Sequence, residues 1–318
     1  MTLDRQNGGM SLVLGLGLPV SGAWAAPENI VAFARRAEEL GYGSLWTYQR
    51  LLAPADDDWG FQYRSVLDPV VALSFAAAVT SRIRLGVAVV NAPFLPPAML
   101  AKQLASLDVV SGGRLDAGLG LGWAPEEFAA LAVPMERRGD RLEETVACLR
   151  ALWGPNPVSF EGDDAKVAPA RFDPKPVQQP GPPILLGATA EAGLRRAGRI
   201  ADGWISSSRF QLTELRSAVT TIREAAESAG RDPSVLRFVV RGVVRLREDV
   251  RGPAGERRPL TGPADAVRED LAGLAEAGVT EVFLDLNFDE RVGSPDADTA
   301  AALALADEVL ESFAPDLT

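Results

Sequence analysis

The sequence contains no histidine and only one cysteine among its 318 residues. The absence of histidine excludes the usual imidazole acid–base catalyst, the Ser-His-Asp triad and every metal site built on imidazole. The single cysteine, Cys148, excludes an intramolecular disulfide, and its place on an apolar helical face favours a small buried side chain over a nucleophile. Any proton transfer must therefore come from a carboxylate, a tyrosine, a lysine, a cofactor or water.

The chain also lacks a basic segment and a long apolar run. Its formal net charge is −11 and its lysines and arginines are nowhere concentrated, so nucleic acid and anionic membrane surfaces are poor partners. No stretch reaches the roughly 18 consecutive apolar residues of a transmembrane helix. The polar opening MTLDRQNGG lacks the apolar core of a signal peptide, which indicates a cytoplasmic protein whose residues 1–10 form a flexible extension.

What the sequence does contain is an alternation of short apolar runs and longer helical patterns. The predicted strands are Ser11–Leu18, Ser44–Tyr48, Ile83–Asn91, Leu115–Leu119, Ile184–Gly187, Gly203–Ser206, Arg237–Leu246 and Glu281–Leu286. Alternating strands and helices imply the α/β class, and eight such units imply one (β/α)8 TIM barrel domain over residues 11–318. An open doubly wound sheet is the alternative. Residues 154–183, rich in proline and glycine, are predicted to form an insertion with a short hairpin at Val158–Glu161.

The most informative segment, LDVVSGGRLDAGLGLGW, runs from Leu107 to Trp123. Its strand ends in Gly118, Gly120 and Gly122, and glycines in this position allow a ligand to approach the backbone closely. Ligands of α/β folds bind at the carboxyl ends of strands. The alternative is a tight turn that merely needs positive φ angles. The run is not a dinucleotide fingerprint, because the third glycine of that motif is missing at its offset.

Other residues that follow strands are expected to line the same mouth. Gly187, Ala188 and Thr189 end the fifth strand and open a helix, whose N–H groups favour a phosphate, although Thr189 could also be an ordinary N-cap. The long loop from Gln49 to Val66 favours a lid. Because the mouth is aromatic and hydroxylic, without a cluster of carboxylates or thiolates, neither metal catalysis nor glycoside cleavage is expected. Such a mouth suits an aromatic organic cofactor that carries a phosphate.

The order of the motifs resembles a known family. GLGLPVSG, AEELGYGSLW, TSRIRLGVAVV and LAKQLASLDVVSGGRLDAGLGLGW are followed by ERRGDRLEETVACLRALW, DPKPVQQPGPPILLGATAEAGLRRAGRIADGW and EAGVTEVFLDL. Together they resemble the luciferase-like monooxygenase superfamily, and within it the actinobacterial F420-dependent oxidoreductases, over nearly all of residues 11–313. The resemblance implies a (β/α)8 barrel that binds coenzyme F420, a reduced deazaflavin, or alternatively FMN at its carboxyl-terminal mouth.

The resemblance also implies the cofactor site residue by residue. In relatives the third strand carries a bulge with a non-proline cis peptide under the middle of the ring, and the matching pair here is Ala88-Val89. Gly120 and Gly122 match a segment beside the cofactor's side chain, and the turn at residues 187–189 matches the phosphate site. The cofactor-binding residues implied are Ala88, Val89, Asn91, Gly120, Gly122, Trp123, Gly187, Ala188 and Thr189.

The catalytic positions depart from the family pattern. Many deazaflavin-dependent relatives carry Asp-His after the second strand, where this chain has Gln49-Arg50. Arginine does not deprotonate in proteins, so Arg50 is expected to stabilise negative charge on the reduced ring or to anchor an anionic substrate. The alternative is a structural arginine paired with one of Asp56 to Asp58. Gln49 could donate to a ring carbonyl or satisfy the loop backbone, and Tyr48 completes the catalytic candidates.

A moderately apolar substrate pocket is expected from the aromatic residues near the mouth, unless these side chains serve only in packing. They are Trp24, Trp59, Phe61, Tyr63 and Phe94.

Three functions are open on this reading. The first is hydride transfer between reduced F420 and an activated C=C, C=N or C=O bond of a small organic substrate, a secondary metabolite among the options. The second is an FMN-dependent monooxygenase that uses O2 and receives reduced flavin from a separate reductase. The third is a non-catalytic flavin-fold binding protein. The phrases GGRL…GLGLGW and PKPVQ…PPILLG resemble the deazaflavin group most, which favours the first. No metal is expected, and a homodimer is left open.

Overall fold

Short buried runs separated by amphipathic helices determine the architecture. The computed structural model describes residues 12–56, 59–252 and 254–315, so the predicted extension at residues 1–10 lies outside the described residues. The strands are β1 (Val13–Gly17), β2 (Ser44–Thr47), β3 (Arg84–Val87), β4 (Val90–Asn91), β5 (Leu115–Gly120), β6 (Val158–Glu161), β7 (Lys166–Ala170), β8 (Ile184–Gly187), β9 (Gly203–Ile205), β10 (Arg237–Val243), β11 (Arg245–Leu246), β12 (Thr261–Gly262) and β13 (Glu281–Asp285).

Helices follow the barrel strands and cover the sheet. They are α1 (Pro27–Glu39), α2 (Pro69–Ala77), α3 (Pro97–Ser111), α4 (Pro125–Ala130), α5 (Arg138–Trp153), α6 (Glu191–Ile200), α7 (Leu215–Ser228), α8 (Ala264–Glu276), α9 (Glu290–Gly293) and α10 (Thr299–Ser312). In α1, a proline opens the first turn and Ile30, Phe33, Ala34 and Ala37 form the buried face, at the spacing of 3 and 4 that a helix packed on a sheet requires. Within the described ranges, none of the helices combines the length and apolar character needed to cross a bilayer.

The parallel sheet is a closed barrel. Its strands pair in the order β3-β2-β1-β13-β10-β9-β8-β5, and β3 also pairs with β5, which joins the two edges. This confirms the (β/α)8 barrel and excludes the open doubly wound sheet. The insertion predicted at residues 154–183 contains the antiparallel hairpin of β6 and β7, of which the sequence pattern gave the first strand.

The third strand was predicted as one continuous run, but the structure interrupts it. It is divided into β3 and β4 by Ala88 and Val89, which are joined by a cis peptide bond, as the family resemblance implies. The predicted seventh strand is also divided, because β10 ends at Val243 and β11 leaves the barrel to pair with β12. The short helices α4 and α9 were not predicted, since both are too brief to show a hydrophobic period.

Packing explains why glycines occur at the end of β5, in addition to the ligand approach that the sequence suggested. A Cβ atom on Gly118 would lie 1.9 Å from the Val87 carbonyl oxygen, and one on Gly120 would lie 2.3 Å from Cγ2 of Val89. These glycines therefore make room for the bulge of the neighbouring strand, in addition to any ligand. Only Gly122 of the three has a positive φ, 74°, as a tight turn requires.

The inside of the barrel has an ionic layer and an aromatic layer. At the amino-terminal ends of the strands, Asp116 accepts hydrogen bonds from Arg84 and Arg237, and Arg237 also donates to Glu281. We call these four residues the amino-end network. Above them a separate buried cluster takes one side chain from each of several strands, namely Trp46, Ala88, Leu185, Ile205, Val239 and Phe283. Its rings, Trp46 and Phe283, stack with their centroids 5.3 Å apart.

Candidate functional site

A cavity of about 680 Å³ opens at the carboxyl-terminal ends of the barrel strands. Its wall is formed by the residues that follow β2, β4, β5, β8 and β9, where ligands of this architecture bind. The structure brings most of the predicted site residues into this one wall. They are Tyr48, Gln49, Arg50, Tyr63, Ala88, Val89, Asn91, Gly120, Gly122, Trp123, Gly187, Ala188 and Thr189.

Four of the five predicted substrate-pocket aromatics lie elsewhere, and only Tyr63 lines the cavity. Trp24 is fully buried and packs edge-on against Phe33, and Phe94 packs edge-on against Phe128. Both rings belong to the packing beneath the loops. The prediction placed them in the pocket because residue type alone does not distinguish a pocket ring from a core ring.

Two aromatic residues of the loop after β2, Trp59 and Phe61, lie outside the cavity wall, whereas Tyr63 of the same loop belongs to it. Trp59 packs against Trp123, with ring centroids 4.8 Å apart, while Phe61 starts a short 3-10 turn in the lid loop. Neither Trp59 nor Phe61 is among the cavity-lining residues. The loop therefore supports the aromatic side of the cavity through Trp123 and Tyr63.

The cavity floor is the peptide between Ala88 and Val89. The Ala88 N–H donates to the Thr47 carbonyl at 2.7 Å, and the Ala88 carbonyl accepts from Nη2 of Arg241 at 2.8 Å. Beside it, the side-chain oxygen of Gln49 accepts the backbone N–H of Asn91 at 2.8 Å. Of the two roles considered for Gln49, the structure thus shows support of the backbone, and it places this residue next to the floor.

Tyr48 is held in the wall by its own hydroxyl. The phenol donates to the Gln62 carbonyl at 2.6 Å, and burial raises its pKa far above the ordinary value. The group is therefore neutral, and its proton is directed to the backbone. This geometry suits a structural wall residue better than a proton donor.

Arg50 sits in an aromatic cage. Its guanidinium carbon lies 4.7 Å from the ring centroid of Trp123, 4.9 Å from that of Tyr63 and 5.3 Å from that of Trp59. Burial lowers the pKa of Arg50, and the charge of Glu127 opposes that shift. Three π faces therefore stabilise a cation that has little contact with solvent.

The acidic partner of Arg50 is Glu127 in α4, a residue that the sequence did not reveal. Nε of Arg50 lies 3.3 Å from Oε1 of Glu127, which is fully buried and also accepts the Leu51 N–H at 2.7 Å. The structure records no ion pair between Arg50 and Asp56, and the rest of the acidic run, residues 57–58, lies outside the described residues. The ion pair is therefore with a different carboxylate from those considered above.

This ion pair is incompletely hydrogen-bonded. Nε and Nη1 of Arg50 and Oε2 of Glu127 are buried atoms without a hydrogen-bond partner in the described part of the chain. Native structures leave few such atoms, and each calls for a functional or structural reason. The wall thus retains hydrogen-bonding capacity next to the floor.

The turn after β8 and the start of α6 form another part of the cavity wall. The turn Gly187–Thr189 leads into α6, whose N-cap is Ala190 and has no side-chain hydrogen bond. Thr189 is therefore not the N-cap, and the first N–H groups of α6 have no capping oxygen from that residue.

Three arginines also line the cavity and were missed by the sequence analysis: Arg137, Arg138 and Arg196. Arg196 pairs with Glu143 at 2.8 Å and Arg137 with Asp163 at 3.3 Å, whereas Arg138 donates to the Gly122 carbonyl at 2.8 Å. The pattern ERRGDR at the start of α5 was the available signal. Ser206, Ser207 and Ser208, which follow β9, add hydroxyl groups to the same wall.

Comparisons with known proteins support one family. A family model described as luciferase-like monooxygenase matches residues 8–251. The chain is 36% identical over 246 residues to an uncharacterized protein of Mycobacterium tuberculosis, which covers 76% of this chain and 75% of that protein. It is 35% identical over 182 residues to a phthiodiolone/phenolphthiodiolone dimycocerosates ketoreductase of Mycobacterium bovis, which covers 56% of this chain and 48% of that protein.

Solved structures share the fold. The monooxygenase RslO1 of Streptomyces bottropensis superposes with a TM-score of 0.77 at 24% identity, covering 96% of this chain and 100% of that one. The coenzyme F420-dependent tetrahydromethanopterin reductase of Methanopyrus kandleri superposes with a TM-score of 0.73 at 21% identity, covering 95% and 99%. At these identities the likeness concerns the barrel and its insertion.

Proposed function

Because the chain belongs to the luciferase-like monooxygenase family, we propose that it is an F420-dependent oxidoreductase. The proposed reaction transfers a hydride between reduced F420 and an activated C=C, C=N or C=O bond of a small organic substrate. When bound, the deazaflavin supplies the hydride donor or acceptor. The protein supplies binding, orientation and charge stabilisation.

The observation that carries the proposal is the arginine side of the cavity. Arg137, Arg138 and Arg196 line it together with the turn at residues 187–189, in a chain whose net charge is −11. A deazaflavin of the F420 type carries a phosphodiester and a chain of glutamates, whereas FMN carries one phosphate. Three cations beside a helix N-terminus suit the longer polyanion.

The remaining wall fits an aromatic ring. The floor residues Ala88 and Val89 have small side chains, and the neighbouring glycines Gly120 and Gly187 face the two methyl groups of Val89. Trp123 and Tyr63 form one aromatic flank. A planar tricycle could rest on this floor while its substituent extends toward the arginines.

We assign charge stabilisation to Arg50. Its buried N–H groups without partners give it donors to spare, and its charge is held in place by Glu127 and the aromatic cage. A preorganised donor of this kind stabilises negative charge that develops on a substrate oxygen or on the ring. Arg50 does not give up a proton, and the Tyr48 proton is directed to the backbone, so we assign the proton to water admitted through the cavity mouth.

A carbonyl is the substrate group that one relative favours. The ketoreductase of Mycobacterium bovis is 35% identical to this chain over 182 residues. Carbonyl reduction develops negative charge on oxygen, which an arginine without a transferable proton can stabilise. The proposed direction is therefore reduction of a ketone by reduced F420.

One observation favours the FMN-dependent monooxygenase as the second candidate. Arg50 stands where many deazaflavin-dependent relatives have a histidine, so the deazaflavin pattern is incomplete at this position. In that case a separate reductase would supply reduced flavin, and the substrate would be oxygenated with O2 rather than reduced.

The two candidates are separated by cofactor binding followed by turnover. Purified protein is titrated with F420 and, separately, with FMN, and binding is followed by fluorescence quenching. We expect F420 to bind roughly tenfold more tightly than FMN, a difference of about 1.4 kcal/mol. Loss of reduced F420 with a panel of ketones, measured without oxygen, then tests hydride transfer. Tighter binding of FMN together with substrate-dependent oxygen consumption would overturn the proposal in favour of the monooxygenase.

A further inference from the structure

Arg241 is a buried cation in the middle of β10, within the segment RFVVRGV. It lines the cavity, and its Nη2 donates to the carbonyl of Ala88 in the cavity floor at 2.8 Å. Its backbone N–H donates to Oγ of Ser206, another cavity residue, at 2.9 Å. Arg241 therefore connects the floor to the barrel wall.

A carboxylate and three aromatic rings surround the guanidinium. Its Nε lies 3.2 Å from Oδ2 of Asp285, which is itself buried, yet this nitrogen has no aligned hydrogen-bond acceptor in the described part of the chain. The guanidinium carbon lies 5.2 Å from the ring centroid of Tyr48, 5.4 Å from that of Phe283 and 5.0 Å from that of Phe288. Water is largely kept away, so the charge acts over a longer distance than it would in solvent.

We propose that Arg241 is a positioning residue that holds the Ala88 carbonyl and raises the reduction potential of the ring bound on that floor, while Asp285 lowers it. This inference rests on the proposed cofactor binding. Addition of a hydride gives the ring one unit of negative charge until a proton follows. A cation under the floor stabilises the reduced ring more than the oxidised ring, and the neighbouring carboxylate does the opposite.

The opposite signs of the two charges distinguish this role from a structural one. A substitution that merely loosened the floor would weaken binding of both oxidation states, whichever member of the pair was changed. A charge effect instead moves the potential down when Arg241 is neutralised and up when Asp285 is neutralised. Asp285→Asn keeps the side-chain oxygen that accepts a hydrogen bond from the backbone N–H of Asn287 at 3.0 Å, so the local turn is preserved.

The experiment measures the midpoint potential of the bound cofactor in Arg241→Met, Arg241→Lys, Asp285→Asn and the Arg241→Met/Asp285→Asn pair. F420 and FMN are each used as probes, in equilibrium with reference dyes and without oxygen. We expect Arg241→Met to reduce the preference for the reduced cofactor by about tenfold, which is about 30 mV for a two-electron couple. Asp285→Asn should raise the midpoint potential of the bound cofactor by a similar amount. The Arg241→Met/Asp285→Asn double variant should return the potential close to the wild-type value. Arg241→Lys keeps the positive charge and should leave the potential nearly unchanged.

Arg84→Met provides a matched control. Arg84 also pairs with a buried carboxylate inside the barrel, Asp116, but it lies at the amino-terminal end, away from the cavity residues. The midpoint potential of the cofactor bound to Arg84→Met should equal that of the wild type. Thermal unfolding and the dissociation constant of the oxidised cofactor are measured for every variant, so that a loss of folding is recognised.

Each outcome decides the matter. Shifts of opposite sign for Arg241→Met and Asp285→Asn support the inference, and shifts of the same sign or no shift overturn it. If Arg241→Met does not fold, Asp285→Asn must still raise the potential. Binding of neither cofactor by the wild type overturns both this inference and the proposed function. Shifts as expected without hydride transfer to any carbonyl overturn only the proposed reaction.

Discussion

The two ends of the barrel both pair arginines with buried carboxylates, but the ion pairs are hydrogen-bonded differently. In the amino-end network, Asp116 receives bonds of 2.6 to 3.1 Å from two arginines. In the two ion pairs beside the cavity floor, the shortest nitrogen–oxygen distances are 3.3 Å for Arg50–Glu127 and 3.2 Å for Arg241–Asp285, and neither pair is aligned as a hydrogen bond.

The unpaired polar atoms follow the same division. Within the described ranges, the buried side-chain nitrogens and oxygens without a hydrogen-bond partner all lie outside the amino-end network. They belong to Trp24, Thr47, Arg50, Glu127 and Arg241. Complete hydrogen bonding at one end stabilises the barrel, whereas the incomplete bonding of Arg50 and Arg241 leaves unpaired donors in two residues that line the cavity. The difference separates arginines that hold the fold from arginines that can serve a ligand.

The largest effect should come from breaking the amino-end network. Asp116→Ala leaves Arg84 and Arg237 facing each other without their shared carboxylate, and we expect a loss of about 3 kcal/mol in the free energy of unfolding. Denaturant unfolding measures this. Asp116→Asn, which keeps the size of the side chain but not its charge, is the matched variant and should lose a similar amount. A loss below about 1 kcal/mol for both would show that this end is not a stability element.

At the other end, loss of an arginine should affect rate more than stability. Arg50→Ala should reduce turnover by about 10²-fold, because it removes one preorganised electrostatic group. Arg50→Lys should recover only part of the rate, since a point charge lacks the planar fork. Steady-state kinetics and cofactor titration measure the two effects, and cofactor affinity should change less than turnover. Turnover within about twofold of the wild type in a folded Arg50→Ala protein would make Arg50 structural.

The arginine side of the cavity should discriminate between cofactors. Arg138→Gln should weaken F420 binding by about tenfold and FMN binding by less, because it removes one cation from the side assigned to the polyanionic substituent. Arg137→Gln is a milder comparison, since Arg137 is already paired with Asp163. Isothermal titration at two salt concentrations gives both affinities. Equal losses for the two cofactors would place the substituent on another part of the wall.

The smallest effect should come from the aromatic cage. Trp59→Leu removes one of the three rings around Arg50, and this ring is not itself a residue of the cavity wall. We expect turnover to fall only a few-fold, about 0.5–1 kcal/mol. Trp123→Leu removes a ring that faces both Arg50 and the cavity, so its effect should be larger. The ratio of the two rates is the measurement. A Trp59→Leu effect that equals or exceeds that of Trp123→Leu would mean that the lid itself takes part in binding.

The sequence predicted the barrel well, for physical reasons. Strand and helix periods are local, and eight alternating units leave few ways to close a parallel sheet. The glycine turns were also predicted, because they follow strands whose carboxyl ends meet at one mouth. The cis peptide at Ala88-Val89, in contrast, was implied only by the family resemblance.

The charge partners of the site were not predictable in the same way. Leu51 N and its acceptor Glu127 are 76 residues apart, and the Ala88 carbonyl and Arg241 are 153 apart, so no local pattern joins them. Trp24 and Phe94 were wrongly assigned to the pocket for the same reason. Whether a ring is buried in the core or faces a cavity depends on the packing of segments distant in sequence. A single charged residue inside an apolar strand, as in β10, was the one available sign of Arg241.

The close packing of Val89 against Gly120 and Gly187 determines the order in which substitutions in the cavity wall can be tolerated. A methyl group on Gly120 would overlap Cγ2 of Val89, and one on Gly187 would press on Cγ1 at 3.0 Å. Val89→Ala removes both of these atoms, so Gly120→Ala should be tolerated after that change and not before it. Mutational paths toward a new substrate are therefore epistatic at this point, and a library that varies the glycines alone will sample mostly misfolded barrels.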